Sequence, residues 1–290
     1  MLQRLVIRVA IWRAPGPGGS VPAVRRPWLA LLPALALLAI AGWEIVVTVR
    51  AGDDVPGDGA WRQAAALVRQ RHQPGELIVF APAWNDPVGR MHVGDLMTLD
   101  EVARMDAARF GVIWELSIRG ARAPETAGLS TADVAEVGGI TIRRFERAPA
   151  VVVADVVALA GSAKIEGRGR PGVVVTEVGF APHRCVQVQP TPGAPLRITW
   201  PALPLGTRLV GYVGLADIFK RRDATAPARL DVELGGQVVA SVTMTNTSGW
   251  MRFEAPTTPG PSDVTFVATV EGKGAAARDR LVCFGAEARQ

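Results

Sequence analysis

The chain has 290 residues, 49% of them hydrophobic and 20% charged, which is enough to bury a core and too apolar for a disordered protein. Its length allows about two domains of ordinary size. The formal charge of +5 comes from arginines scattered among acids or gathered ahead of an apolar segment, a distribution that excludes a basic nucleic-acid-binding stripe.

Residues 1–27 form a basic N-terminal region carrying Arg4, Arg8, Arg13, Arg25 and Arg26. Leu2–Trp12 reads as an interfacial amphipathic helix or a disordered tail, and APGPGGSVP after it as a flexible break. From Trp28 to Val49 runs an apolar stretch of the ~20 residues that cross a bilayer as a helix. Its single charge, Glu44, lies near one end, and Trp28 and Trp43 suit the two interfaces. Basic residues precede the span and Asp53, Asp54 and Asp58 follow it, so the expected topology is single-pass, N-terminus cytoplasmic, with the rest outside, in the periplasm if the envelope is Gram-negative. Ala39-Ile40-Ala41 offers a rival cleavage site for a signal peptide. The long basic region and the continuation of the apolar run through Ile45-Val46-Val47 favour an uncleaved anchor.

A small open α/β domain is expected over residues 60–147. AWRQAAALVRQRH places Trp61, Ala64, Ala65, Leu67 and Val68 at helical spacing, and Gln73-Pro74-Gly75 stops the helix. ELIVFAP reads as a buried strand in a parallel pairing, Leu99–Ala108 as a second helix, RFGVIWELSI as a second buried strand, and GGITIRRFER as an edge strand. After the first strand come Trp84, Asn85, Asp86, Arg90, His92 and Asp95, where open α/β sheets hold ligands. The plainer expectation, a polar loop around a buried Trp84, is preferred. His92 and Asp95 make no metal site without further ligands.

The succession of an apolar span, a Trp-bearing helix, "PGELIVFAPAW" and "RFGVIWELS" resembles the extracytoplasmic C-terminal part of GT-C glycosyltransferases that use lipid-linked sugars. The resemblance covers about residues 42–147 and implies a fold beside a membrane. That family's catalytic acids lie between transmembrane helices that have no counterpart in this sequence, so none is carried over.

Beyond Ala148 the pattern becomes short β-rich runs separated by Pro and Gly. VVVADVVALAG reads as a connecting strand or short helix and KIEGRGRPG as a linker. Over residues 171–290 strands are expected near VVVTEV, RCVQVQ, LRITW, RLVGYVGL, ARLDVEL, QVVASVTM, WMRFEA, DVTFVATV and RLVCFGAEA, a count that predicts an antiparallel β-sandwich or jelly roll. Leu234-Gly235-Gly236-Gln237 marks a hairpin flanked by alternating apolar and acidic residues. Cys185 and Cys283 are either one disulfide or two buried thiols, and His183 as the one nearby histidine is too little for a metal site.

"VGYVGLAD", "ARLDVELGGQVVAS", "SGWMRF" and "DRLVCFGAEAR" are similar to galactose-binding-like jelly-roll modules, covering about residues 173–289. Members that bind sugar do so through loops at one end of the sandwich. The resemblance implies Trp200, Tyr212 and Trp250 as stacking rings and Asp217, Arg221 and Arg222 as polar contacts, against the plainer expectation that Trp250 is core and Lys220-Arg221-Arg222 a solvated loop.

There is no phosphate-binding glycine loop, nucleotide fingerprint, nucleophile elbow or Cys-x-x-Cys pair, so neither a cofactor nor a metal is expected and no catalytic residue is nominated. The fold class expected is α+β multidomain: one transmembrane helix, a small α/β unit and a C-terminal sandwich. The function expected is non-catalytic recognition of a glycan or another envelope partner by a membrane-anchored protein. The alternatives are an accessory or detached C-terminal part of a GT-C transferase and a structural interaction module.

Overall fold

The computed structural model describes residues 31–53, 55–219 and 222–290. The basic N-terminal cluster, Trp28 and Arg221 lie outside the described residues. The chain divides into two compact units, residues 1–53 and 54–290.

In the first unit, helix α1 (Leu32–Asp53) has no acidic residue in its first turn and Arg50 in its last. Within it, Leu32–Arg50 is long and apolar enough to cross a membrane, and none of that window is buried by protein.

The second unit holds both the α/β segment and the sandwich, which pack into one body. Helix α2 (Asp58–Arg71) buries Trp61, Ala64, Ala65 and Val68, the i, i+3, i+4, i+7 stripe of an amphipathic helix. Leu67, expected on that stripe, lies off it and is exposed. Strand β1 (Leu77–Ala81) is buried along its whole length and pairs in parallel with β2 (Val112–Ile118). Strands β3 (Thr131–Val137) and β4 (Ile140–Glu146) complete the sheet in the order β1-β2-β4-β3. GGITIRRFER is thus an interior strand, and the edge is β3, whose mostly exposed, weakly patterned TADVAEV carried no strand signal.

Two helical expectations need correction. The polar residues after β1 fold into helix α3 (Asp86–Val93), with Pro87 in its first turn, where its missing N–H costs nothing. The helix expected over Leu99–Ala108 is one turn, α4 (Leu99–Val102), started by a capping box in which Thr98 Oγ1 accepts from Glu101 N and Glu101 Oε2 accepts from Thr98 N. It stops because its next carbonyls go to the sandwich. Ala103 O accepts from Arg184 N at 2.7 Å, Arg104 O bonds His183 Nδ1 at 3.1 Å, and Met105 O accepts from Trp250 Nε1 at 3.1 Å.

The sandwich strands are β5 (Val152–Asp155), β6 (Lys164–Glu166), β7 (Gly172–Val178), β8 (Ala181–Val188), β9 (Leu196–Leu205), β10 (Arg208–Ala216), β11 (Ala228–Leu234), β12 (Gln237–Met244), β13 (Met251–Pro256), β14 (Gly260–Val270) and β15 (Leu281–Arg289). The expected linker KIEGRGRPG contributes β6 to a sheet edge beside β9. Strand β8 pairs with β15, β9 with β14, β10 with β13 and β11 with β12, all antiparallel. This nesting is a long hairpin rolled into two sheets, the jelly-roll arrangement. One sheet runs β13-β10-β15-β8-β7, with β5 joining β15, and the other β12-β11-β14-β9-β6. Gly235 and Gly236 turn the innermost hairpin with φ of 54° and 85°, the left-handed conformation a two-residue turn requires.

Between the sheets Phe266 stacks on Phe284 at 4.8 Å, and Trp200 meets both edge-on. On the opposite face of the β8/β15 pair, Cys185 and Cys283 form a disulfide among Val178 and Ala216, with Trp250 packed against the cluster.

Candidate functional site

Where the α/β segment meets the sandwich, a cleft of about 930 Å³ opens. One wall comes from the carboxyl end of β1 and the segment after it, through Phe80, Trp84, Asp86 and Arg90. A second comes from the irregular stretch after α4, through Arg104, Met105 and Asp106, and the third from the sandwich, through Phe180, His183, Tyr212 and Trp250.

The sandwich wall is a tier of three rings. His183 lies on Trp250 with 4.4 Å between centroids and 15° between planes, and Tyr212 lies at 6.0 Å from Trp250, again at 15°. Burial pushes the His183 imidazole down to about 4, outweighing its backbone bond to Arg104, so the ring is neutral at pH 7. A carbonyl only accepts, so Nδ1 carries the proton that His183 gives Arg104 O. Burial, with Asp106 adding to it, raises the Tyr212 phenol above its ordinary range, so this hydroxyl stays protonated.

The charged groups lining the cleft are held by protein partners. Asp86 pairs with Arg90 at 2.7 Å, Glu125 with Arg104 at 2.5 Å, and Asp106 grips Arg289 through both oxygens at 3.0 and 2.9 Å. Arg147 donates to Phe110 O at 3.0 Å and to Ala107 O. These partners fix side-chain positions before any ligand arrives, as preorganised recognition requires. Behind the rim, buried Glu115 takes Arg143 Nη1 at 2.9 Å, Thr126 Oγ1 at 2.5 Å and Ala123 N at 2.8 Å, which secures the turn that presents Glu125.

The sequence-predicted residues separate. Tyr212 and Trp250 come together in the cleft, although His183 already covers a face of the Trp250 ring. Trp200 does not join them: it is 1% exposed in the inter-sheet core, with Nε1 donating to Leu159 O at 3.0 Å, and has no face for a ligand. Its alternation with Leu196 and Ile198 signals this inward face. Asp217 lines a separate hollow of about 430 Å³ with Ile218 and Phe219, and Arg222 is exposed on the following loop.

Of the rings in the cleft, the sequence places Trp84 in a ligand-holding stretch but favours its burial, and it nominates neither Phe180 nor His183. Trp84, expected to be buried, is 57% exposed and stands on the rim. Phe180, at φ 70° in the β7–β8 turn, is exposed and lies 5.1 Å from Phe219. His183 shares a strand face with Cys185, a parity visible in the sequence, but its stacking on Trp250 is not. His92 stacks on Trp61 and faces Asp58 at 3.4 Å, while Asp95 pairs with Arg69 at 2.6 Å. Among the described residues no group of three or more His, Cys, Asp or Glu is placed to hold a metal ion.

No protein-family model matches the chain. No curated protein matches it either. Among solved structures it is similar to a CBM51 module of a Clostridium perfringens GH95 protein in complex with methyl-galactose, at 16% identity and TM-score 0.35, over 48% of this chain and 99% of that one. It is also similar to the CBM51-2 and INT domains of Clostridium perfringens ZmpB in complex with GlcNAc, at 13% identity and TM-score 0.36, over 74% of this chain and 47% of that one. A third is a carbohydrate-binding module of Cellvibrio mixtus lichenase 5A in complex with cellotriose, at 15% identity and TM-score 0.32, over 48% and 98%. The chain thus spans nearly all of the two single modules and under half of the ZmpB fragment.

Proposed function

We propose that this protein is a membrane-anchored, extracytoplasmic, non-catalytic receptor for glycan, with its recognition site in the cleft between the α/β segment and the sandwich. The observation that carries this reading is the exposed Trp84 ring lining the same cleft as the Tyr212–Trp250–His183 tier. Sugar rings offer flat C–H faces and hydroxyl edges. An exposed indole supplies apolar area with little entropy to lose, and a fixed phenol supplies a donor and an acceptor. The cleft also lies beyond the carboxyl end of a parallel strand, where open α/β sheets accept ligands. Its carboxylates Asp86, Asp106 and Glu125 are each engaged by an arginine, an arrangement suited to holding a shape.

Anchoring is supported by the apolar span in α1 and by the arginines that precede it, and an oxidising destination accords with the Cys185–Cys283 disulfide. The test is a glycan array probed with the full chain in non-ionic detergent, beside Trp84→Ala and Tyr212→Phe. Saturable binding weakened in folded variants supports the proposal. A flat array, with another envelope protein co-purifying instead, overturns the glycan part in favour of a protein partner.

A further inference from the structure

Arg280 precedes β15 at the end of the sandwich where the loops after β10, β12 and β14 meet, and it is 2% exposed. Its Nη1 donates to Ala224 O, while Nε and Nη2 are buried without a hydrogen-bond partner. Among the described residues no carboxylate pairs with it, and burial pushes the guanidinium below its ordinary range. The same fold treats its other deeply buried arginine differently: Arg289, 3% exposed, is held by both Asp106 and Glu287. A buried cation without a counter-charge is strongly unfavourable, so the contrast calls for an anion from outside the chain.

The geometry also specifies the anion. Nε and Nη2 form the side edge of the guanidinium, the pair that grips two oxygens of a carboxylate or phosphate at once. Asn246 donates from Nδ2 to the same Ala224 carbonyl at 3.2 Å, and its Oδ1 is buried without a partner. Reversing that amide would set two acceptors against each other, so Oδ1 is the atom left wanting a donor. Both side chains meet on the Ala224 carbonyl, so a single partner that accepts twice from Arg280 and gives one O–H to Asn246 would satisfy all three atoms.

We infer that the loop end of the sandwich binds an oxyanion that carries its own hydroxyl, on Arg280 and Asn246. Hydrogen phosphate and the hydroxycarboxylate of an acidic sugar share this chemistry. Neither Arg280 nor Asn246 lines the cleft, so binding at either place can fail without the other.

The experiment is thermal unfolding of the full chain in non-ionic detergent, titrated with inorganic phosphate, glucuronate or chloride at constant ionic strength. At about a hundredfold excess over Kd the midpoint rises by roughly 5–10 °C with phosphate or glucuronate, and the shift is lost in Arg280→Met. The larger response identifies the source, a free mineral anion or an acidic sugar. No shift with either overturns the inference, as does an equal shift with chloride, which bears no hydroxyl. A shift that persists undiminished in Arg280→Met also overturns it. Should Arg280→Met not fold, the wild-type titration still decides. Trp84→Ala, which alters only the cleft, responds to the anions as the wild type does.

Discussion

The His183 ring is stacked on the Trp250 indole at 4.4 Å, and the two rings give their N–H groups to successive carbonyls, Arg104 O and Met105 O. The stack therefore joins the sandwich to the segment that lines the cleft. The stack and the carbonyls it bonds come from β8, the residue before β13 and the stretch after α4, which are remote in sequence. Anything that charges, shrinks or displaces one ring acts on the cleft.

Acidification tests this directly. The His183 pKa falls from 6.5 unfolded to about 4 folded, so between those values the unfolded chain binds more protons and stability declines as pH falls. The His183 contribution is fully present above pH 6.5, and up to about 3 kcal/mol of it is lost as pH falls through 4. Chemical denaturation of the full chain from pH 7 to pH 4 should show a steeper loss in wild type than in His183→Gln. Equal slopes would remove His183 from the account.

Trp84, expected to be buried, and Trp200, expected as a stacking ring, should behave oppositely to those expectations. Trp84→Ala, at an exposed position, should leave the unfolding midpoint nearly unchanged and weaken ligand binding by roughly tenfold, the value of one lost ring contact. Trp200→Ala empties the inter-sheet core and should cost about 3–5 kcal/mol. Calorimetry paired with glycan-binding isotherms separates these outcomes, and a destabilised Trp84→Ala would contradict the surface assignment.

The Cys185–Cys283 disulfide joins residues 98 apart, so opening it frees a long loop in the unfolded chain. The double variant Cys185→Ser, Cys283→Ser should lose about 4 kcal/mol, seen as a midpoint roughly 10 °C lower. Because Trp250 packs on this cluster, the same variant should also bind glycan more weakly. Scanning calorimetry with and without reductant provides the check, and a wild-type midpoint indifferent to reduction would count against the bond.

Asp106 is the carboxylate on which the α/β segment meets buried Arg289. Asp106→Ala leaves that cation with Glu287 alone and should destabilise the fold by about 3 kcal/mol. Adding Arg289→Met should recover part of the loss, since no charge is then left stranded. A double-mutant cycle in denaturant measures this coupling, and strict additivity would show that the pair contributes nothing across the junction.

The sequence by itself determined what depends on local periodicity. All nine strands expected from Val173 onward exist, read from alternation in strands such as β9 and β13 and from continuous apolar β-rich runs in β10 and β15, and Gly235-Gly236 turns their innermost hairpin through positive φ. The apolar run of α1 and the α2 stripe are legible for the same reason. Only the tertiary structure decided what depends on partners remote in the chain. A helical pattern over Leu99–Ala108 yields after one turn because β8 and Trp250 claim its carbonyls, and an isolated polar run becomes α3 because it packs on α2 and β1. The two cysteines meet because β8 and β15 pair. Trp84 and Trp200 are the same residue type, and periodicity can assign a face but not what covers it. That depended on the rolled hairpin burying one ring between its sheets while the other stayed on the rim of the cleft.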